Sequence, residues 1–259
     1  MPSGKSSKAV RDAHSVVTAT KPKPWGTVAA VLAIVVFAVG IYGYLFLRYE
    51  GHRAHIPTAD NKDPSAQIEG VVTQNYGDDS RGHIGPDKRV AYDHSPPFGG
   101  PHDATWAACN GVVYKTAVRN ENMVHALEHG AVWVAYNPDK ITGAALQSLQ
   151  DRVQGGNYIM LSPYPGLDSP ISLQSWGHQL KLTDPADKRI DQFIQALRLN
   201  HYTYPEIGAT CDVLTGVFDP AKPPPFVAEA PGPDAIPLKY TAGLKPGQGA
   251  APPAPPAGG

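Results

Sequence analysis

Two imidazoles and a carboxylate fall within five residues in the segment HALEH, residues 125–129. If this segment is helical, positions i and i+4 lie on one face of the helix, so His125 and His129 can present ring nitrogens to one metal ion. Glu128 lies within one turn of His125 and adds a carboxylate oxygen to the same region. The spacing therefore predicts a metal-binding segment.

Further histidines border a loop rich in proline and glycine. His94 and His102 close the segment HSPPFGGPH, and His83 lies upstream. Prolines and glycines favour fixed turns and close backbone approach, and such loops often carry function. If the loop folds over the helix, enough imidazoles meet for a site of three or four ligands. We predict one zinc or copper site formed by His94, His102, His125, His129 and Glu128, with Glu128 as a ligand or as a partner that orients one.

Two other interpretations of the histidines stay open. The order H-x-x-E-H is the zinc signature of the inverzincin peptidases, in which the glutamate activates water, and Glu206 could supply a third ligand. In that case Glu128 is catalytic. Against this, Gly130 ends the helix and the strand-like run AVWVAY follows at once. Alternatively, the histidines only form hydrogen bonds that brace loops of a structural or interaction domain.

The sequence favours binding over catalysis. It has no G-x-S-x-G nucleophile motif, no glycine-rich phosphate loop and no C-x-x-C-H haem attachment motif. Its formal net charge of -1 argues against a nucleic-acid partner. We expect a non-catalytic metal-binding or cell-envelope module, and we consider an envelope protein as its partner.

Residues 25–47 form an uncharged apolar run of the length that a membrane-spanning helix needs. A cleaved signal peptide is the alternative, but its apolar region should be only about 7 to 15 residues long. Positive charges dominate the preceding residues 1–24, which predicts a cytoplasmic N-terminus and an extracytoplasmic main domain. We therefore expect a single-pass signal anchor in the cell membrane.

The 259-residue chain has two cysteines, Cys109 and Cys211, both on the side predicted to be exported. Thiols in such compartments are oxidised, so a disulfide is the expected state. A thiolate metal site is the alternative. No C-x-x-C redox motif occurs.

Composition divides the remainder of the chain into three parts. Residues 48–65 are polar and predict a tether, and residues 66–215 have the length of one domain. Residues 216–259 are rich in Pro, Ala and Gly, and we expect this tail to be disordered because it offers little apolar surface.

Within the domain, apolar patterns predict a compact α+β fold with a mixed arrangement of helices and strands. A thioredoxin-like arrangement is one option. Helices are expected near 121–129, 140–154 and 186–199. Strands are expected at 68–73, 89–92, 131–136, 158–161 and 171–182, the last interrupted at Gly177.

A series of short motifs resembles a bacterial family of domains of unknown function. The series contains I-E-G-V at 68–71, the H-S-x-P-P-x-G-G-x-H loop, C-x-G-x-x-Y at 109–114, E-N-x-V-H-x-L-E-H-G at 121–130, and Trp176-Gly177 before Cys211. It covers about residues 68–211. Members of that family are typically single-pass membrane proteins with the domain outside the cell. The resemblance implies export, these domain limits and paired cysteines. It implies no particular biochemical activity.

Overall fold

The computed structural model describes residues 24–213 and 216–240. The chain divides into two compact units, one ending at Gly51 and the other beginning at His52. Most of the predicted cytoplasmic segment, residues 1–23, and residues 241–259 of the predicted tail lie outside the described residues.

The first unit contains all but the last two residues of helix α1, Trp25–Arg53. Its stretch Trp25–Leu47 has 23 residues and a mean hydropathy of 2.5. At 1.5 Å per residue this stretch is about 34 Å long, close to the thickness of a bilayer core. By length and composition it could cross a membrane, and a signal sequence near the N-terminus would meet the same criteria.

The second unit combines three helices with strands of a mixed sheet, which agrees with the predicted α+β class. The helices are α2, Asn120–Glu128, α3, Gly143–Val153, and α4, Arg189–Leu197. The strands are β1, Val72–Thr73; β2, His83–Ile84; β3, His102–Asp103; β4, Asn110–Val113; β5, Val132–Tyr136; β6, Ile159–Pro163; β7, Ile171–Ser175; and β8, His178–Leu182. Short 3-10 helices cover Pro64–Gln67 and Asp78–Ser80.

Six of these strands form one sheet in the order β1-β8-β7-β5-β6-β4. Strand β6 runs parallel to β4 and β5, while β7 pairs antiparallel with β5 and with β8. The parallel pair β5 and β6 is joined through α3, as parallel strands require a crossover. This arrangement is compatible with the thioredoxin-like option. Strands β2 and β3 form a separate parallel pair.

The sheet is covered on both faces. In β5, Val132 and Val134 belong to an apolar cluster with residues of α3 and α4, such as Phe193. The alternate residues Trp133 and Ala135 belong to a second cluster with residues of α2. Side chains alternate between the faces of a strand, so β5 is buried on both sides. Helix α2 therefore lies on the face opposite α3 and α4.

The C-terminal segment differs from the prediction of a disordered tail beginning at residue 216. Phe218 is 5% exposed and lies 6.4 Å from the Tyr114 ring. The Phe226 ring lies 4.7 Å from that of Tyr164. Although this segment is rich in proline, Phe218 and Phe226 supply apolar surface that packs against the domain. We call residues 216–240 the C-terminal strap.

The predicted strands agree with the sheet at its centre and differ at its margins. The segment 171–182 forms the hairpin of β7 and β8, and Gly177 makes the turn with a φ of 71°. Among the described residues, the segment 89–92 makes a single bridge, between Val90 and Ile236 of the C-terminal strap. Strand β4 and the pair β2 and β3 were not predicted, because they are short and follow no alternating pattern.

Candidate metal centre

Helix α2 places His125 and Glu128 in the interior of the domain. Both residues are buried, with 2% of each exposed. A spacing of three residues puts them on neighbouring positions of one helix face. His129 caps the helix, and Gly130 then turns the chain into β5 with a φ of 91°. A side chain at Gly130 would also meet the Tyr204 ring, since an added Cβ would lie 2.7 Å from it.

The strand pair β2 and β3 brings two more histidines to this helix. His83 and His102 are direct partners in the parallel ladder, and their ring centroids are 4.9 Å apart. The His125 ring lies 4.8 Å from that of His83 and 4.7 Å from that of His102. One ligand atom from each of four side chains lies within 4.8 Å of the others, and we call this group the inner set: His83, His102, His125 and Glu128.

Glu128 makes close contacts with the imidazoles of the inner set. Its Oε2 atom lies 2.7 Å from His102 Nε2 and 3.9 Å from His83 Nε2. The His102 side chain is 0% exposed and that of Glu128 is 3% exposed. At 2.7 Å, a nitrogen and a carboxylate oxygen must share either a proton or a cation, because otherwise two lone pairs face each other.

Backbone carbonyl groups orient two of these rings. The Nδ1 atom of His102 lies 2.8 Å from the carbonyl oxygen of Gly100, and that of His125 lies 2.6 Å from the carbonyl oxygen of Asp103. A carbonyl oxygen only accepts, so each Nδ1 carries the proton and donates it. The Nε2 atom of each ring is therefore the one that can bind a partner inside the cluster. Metal-binding histidines are commonly oriented in this way.

A second group shares His125. It comprises His125, His129 and Glu206, and we call it the outer set. The His129 Nδ1 atom lies 2.7 Å from the carbonyl oxygen of Thr210, and its Nε2 atom lies 3.2 Å from Glu206 Oε2. The Glu206 side chain is 24% exposed. By comparison, the His83 side chain is 7% exposed and that of His129 is 3% exposed.

The paired cysteines fix the loop that carries the outer set. The sulfur atoms of Cys109 and Cys211 lie at disulfide distance, 1.95 Å apart, which excludes the alternative of a thiolate metal site in this state. Cys211 directly follows Thr210, and its carbonyl oxygen accepts a hydrogen bond from the Cys109 amide. Trp106 covers this side of the cluster, with its ring 4.9 Å from that of His129.

The electrostatic surroundings of Glu128 differ from those of neighbouring carboxylates. Arg119 pairs with Asp103 and with Glu121. In the described part of the chain, by contrast, the ion-pair partners of Glu128 are the imidazoles of His83 and His102. A buried carboxylate needs a cationic partner, so the charge state of this cluster depends on protons or on a bound cation.

Burial keeps two imidazoles of the inner set neutral. Burial, followed by the charge of His102, lowers the pKa of His83 to about 4. The same two causes lower the pKa of His125 well below its ordinary value. Burial also acts to lower the pKa of His102, but the Glu128 carboxylate outweighs it and the pKa is raised. A hydrogen bond from His129 holds the pKa of Glu206 below its ordinary value.

The structure brings together four of the five residues predicted for the site. His102, His125 and Glu128 belong to the inner set, and His129 belongs to the outer set. His94 belongs to neither set. Its Nδ1 atom lies 2.9 Å from Asp93 Oδ1 and its ring packs at 4.6 Å from Phe98.

Two side chains complete the sets in place of His94. The site predicted from the sequence does not contain His83, because the pairing of His83 with His102 depends on a two-residue strand. Glu206 was considered only as a third ligand of a peptidase site. Glu206 is far from His129 in the sequence, so the sequence alone does not show that the two side chains are in contact.

Comparison with known families agrees with the resemblance drawn from the motifs. A family described as protein of unknown function (DUF3105) matches residues 83–213, just over half of the 259-residue chain. The chain belongs to the DUF3105 family. The matched region begins at His83 and includes every residue of both sets. No curated protein and no solved structure matches the chain.

The ligand types in this DUF3105 domain limit what it could bind. Three imidazoles and one carboxylate suit zinc or divalent copper, whereas calcium and magnesium prefer oxygen ligands. With Cys109 and Cys211 paired, no thiolate is offered by the described residues. The two sets could therefore hold a transition-metal ion through nitrogen and oxygen atoms.

Proposed function

We propose that this protein is a membrane-anchored, extracytoplasmic metal-binding module that holds one Zn²⁺ or Cu²⁺ ion through the inner set. The observation that carries the proposal is the contact between buried Glu128 and the imidazoles of His83 and His102. In the metal-free protein a proton bridges Glu128 and His102. A divalent cation would replace this proton and use the lone pairs of all three rings.

The charge balance of the cluster supports a divalent cation. With the ion in place of the shared proton, the three neutral imidazoles and the Glu128 carboxylate carry one negative charge, while Glu206 pairs with His129 at the border of the cluster. A buried cluster with a net negative charge is stabilised by a metal cation. The lowered pKa of His83 and of His125 keeps their rings in the neutral form that binds metal.

The number of ligands supports binding rather than catalysis. The inner set offers four protein ligands, which is typical of zinc sites with a structural or storage role. Catalytic zinc sites usually keep one position for water. Glu128 also lies within the ligand group, so it is placed to bind the ion.

Elemental analysis of the full-length protein, purified in detergent without a histidine tag and dialysed, tests the proposal. We expect one equivalent of zinc or copper, lost in His125→Ala and retained in His201→Ala, which alters an exposed histidine. Metal-free wild-type protein that cannot be reloaded with either ion would contradict the proposal. The histidines would then only brace loops.

The anchor and its orientation are part of the proposal. Helix α1 has the length and composition to span a bilayer, the preceding segment is rich in lysine, and a disulfide persists in oxidising compartments. Fusion of alkaline phosphatase to the C-terminus should give an active reporter, because this enzyme needs export to fold. An inactive phosphatase fusion with an active cytoplasmic β-galactosidase fusion would contradict this orientation.

A second candidate function is that of a metallohydrolase using the H-x-x-E-H segment. The outer set favours it, because His125, His129 and Glu206 provide the two imidazoles and one carboxylate of many zinc peptidases. Glu128 would then activate water. This candidate expects zinc-loaded protein to cleave denatured casein, and Glu128→Gln to lose cleavage while retaining zinc. Zinc-loaded wild-type protein without cleavage would exclude it for this substrate class.

A further inference from the structure

We propose that the outer set is a capture position for the metal ion, from which the ion passes to the inner set while His125 stays bound. This inference rests on the proposed metal-binding function and adds the route by which the ion arrives. It concerns a divalent transition-metal ion delivered from solvent.

Differences in exposure support a capture role for Glu206. Its side chain is 24% exposed, whereas those of His102 and Glu128 are 0% and 3% exposed. A cavity of about 410 Å³ is lined by Tyr204 and Pro205, the two residues before Glu206. A negatively charged group that solvent can reach raises the local concentration of cations and their rate of association. An ion from solvent therefore meets Glu206 before Glu128.

His125 connects the two positions. Its Nδ1 atom is engaged with the carbonyl oxygen of Asp103, which leaves Nε2 as its single ligand atom. That atom can bind one ion at a time, so the inner and outer sets are alternatives for the same ion. The His125 ring lies 4.7 Å from both His102 and His129, and an ion held by His125 can reach either neighbour.

Backbone contacts hold the outer set at a fixed position beside the inner set. The Glu206 amide donates a hydrogen bond to the Glu128 carbonyl oxygen, 3.1 Å away. His129 is oriented by Thr210, next to the paired Cys211. The loop is therefore fixed beside α2, and transfer needs a shift of the ion rather than a rearrangement of the chain.

The transfer is a ligand exchange without a redox step. The bonds from the ion to His129 and Glu206 break, bonds to His83, His102 and Glu128 form, and the bond to His125 is kept. The proton between His102 and Glu128 leaves to solvent as the ion enters, and a proton from solvent returns between His129 and Glu206 as the ion departs. The charge of the ion does not change.

Stopped-flow measurements with Cu²⁺ on the full-length protein in detergent test the route, because bound copper should quench the fluorescence of Trp106. We expect Glu206→Gln to lower the association and dissociation rate constants together by about tenfold, with the equilibrium affinity within about twofold of wild type. A group that only lies on the route changes both rates equally, whereas a lost final ligand raises dissociation alone. Glu128→Gln should show that second pattern.

Glu229→Gln is the matched control, since Glu229 is exposed and belongs to neither set. It should bind copper at the wild-type rate. Wild-type association in Glu206→Gln, or a loss of affinity through faster dissociation alone, would overturn the capture role while leaving the inner site in place. Wild-type protein that binds no copper and no zinc would overturn the proposed function as well.

Discussion

The Nε2 atom of His102 lies 2.7 Å from the Oε2 atom of Glu128, and both side chains are buried. The ring of His102 is held at its other nitrogen by the carbonyl oxygen of Gly100. One proton or one cation must therefore lie between an imidazole and a carboxylate in the interior. This contact links the start of β3 to the end of α2.

Replacement of His83 should weaken metal binding far more than replacement of His94. His83 lies in the inner set, while His94 pairs with Asp93 elsewhere in the domain. We expect His83→Ala to lower zinc affinity by at least about 100-fold, the upper range for loss of a supporting partner alone. Competition with a chromophoric chelator measures this. A larger loss in His94→Ala than in His83→Ala would contradict the composition of the inner set.

The metal-free protein should lose stability as the pH falls below about 6.5. The pKa of His83 is lowered to about 4 and that of His125 is lowered well below 6.5, so the unfolded chain takes up these protons first. Each histidine then reduces the free energy of unfolding by up to roughly 1.4 kcal/mol per pH unit.

The raised pKa of His102 has the opposite sign. It stabilises the folded state below the unfolded value, and this contribution is lost as the pH rises through the folded value. Below pH 6.5 His102 is protonated in both states, so the other two histidines set the slope. Urea unfolding of chelator-treated protein between pH 7 and 5 measures it. His201→Gln, which alters an exposed histidine, is the control. A free energy of unfolding that stays constant between pH 7 and 5 would contradict the burial of neutral rings.

Removal of the disulfide should destabilise the domain and loosen the outer set. Cys109 and Cys211 are separated by 102 residues, and such bridges typically contribute about 2 to 4 kcal/mol. The double variant Cys109→Ala/Cys211→Ala should therefore unfold at lower urea concentration, as should the wild type treated with a dithiol. An unchanged midpoint in both samples would mean that the bridge adds no stability.

Phe218→Ala should show that the C-terminal strap is part of the folded domain. The Phe218 side chain is buried beside Tyr114, and truncation of a buried phenylalanine typically costs about 3 to 5 kcal/mol. Val227→Ala is a matched control on the strap, since Val227 is 41% exposed. Equal unfolding midpoints for the two variants would support the disordered tail expected from composition.

The centre of the fold could be predicted from the sequence because its patterns are local. The apolar run of β5 and the spacing of Ile190, Phe193 and Leu197 in α4 determine these elements without distant partners. The segments β2 and β3 have two residues each, and they are strands only because they pair with one another. The C-terminal strap likewise depends on aromatic contacts with residues more than fifty positions away.

The candidate site could likewise be predicted from the sequence where its residues follow a local pattern. His125, Glu128 and His129 follow from helical spacing, and His102 follows from its position beside a rigid loop. The structure groups His83, and not His94, with the inner set, because His94 pairs with the adjacent Asp93 and packs on Phe98 while the loop places His102 in β3 beside α2. Spacing alone contains no information about which end faces the helix.

X-ray absorption spectroscopy of the full-length protein loaded with one equivalent of zinc tests the central claim most directly. The account predicts nitrogen and oxygen ligands at about 2.0 to 2.2 Å, with the multiple scattering of imidazole rings. Substitution of His83, and not of His94, should reduce the imidazole contribution. A sulfur shell, a shell of oxygen atoms alone, or zinc that is lost on dialysis would contradict the account.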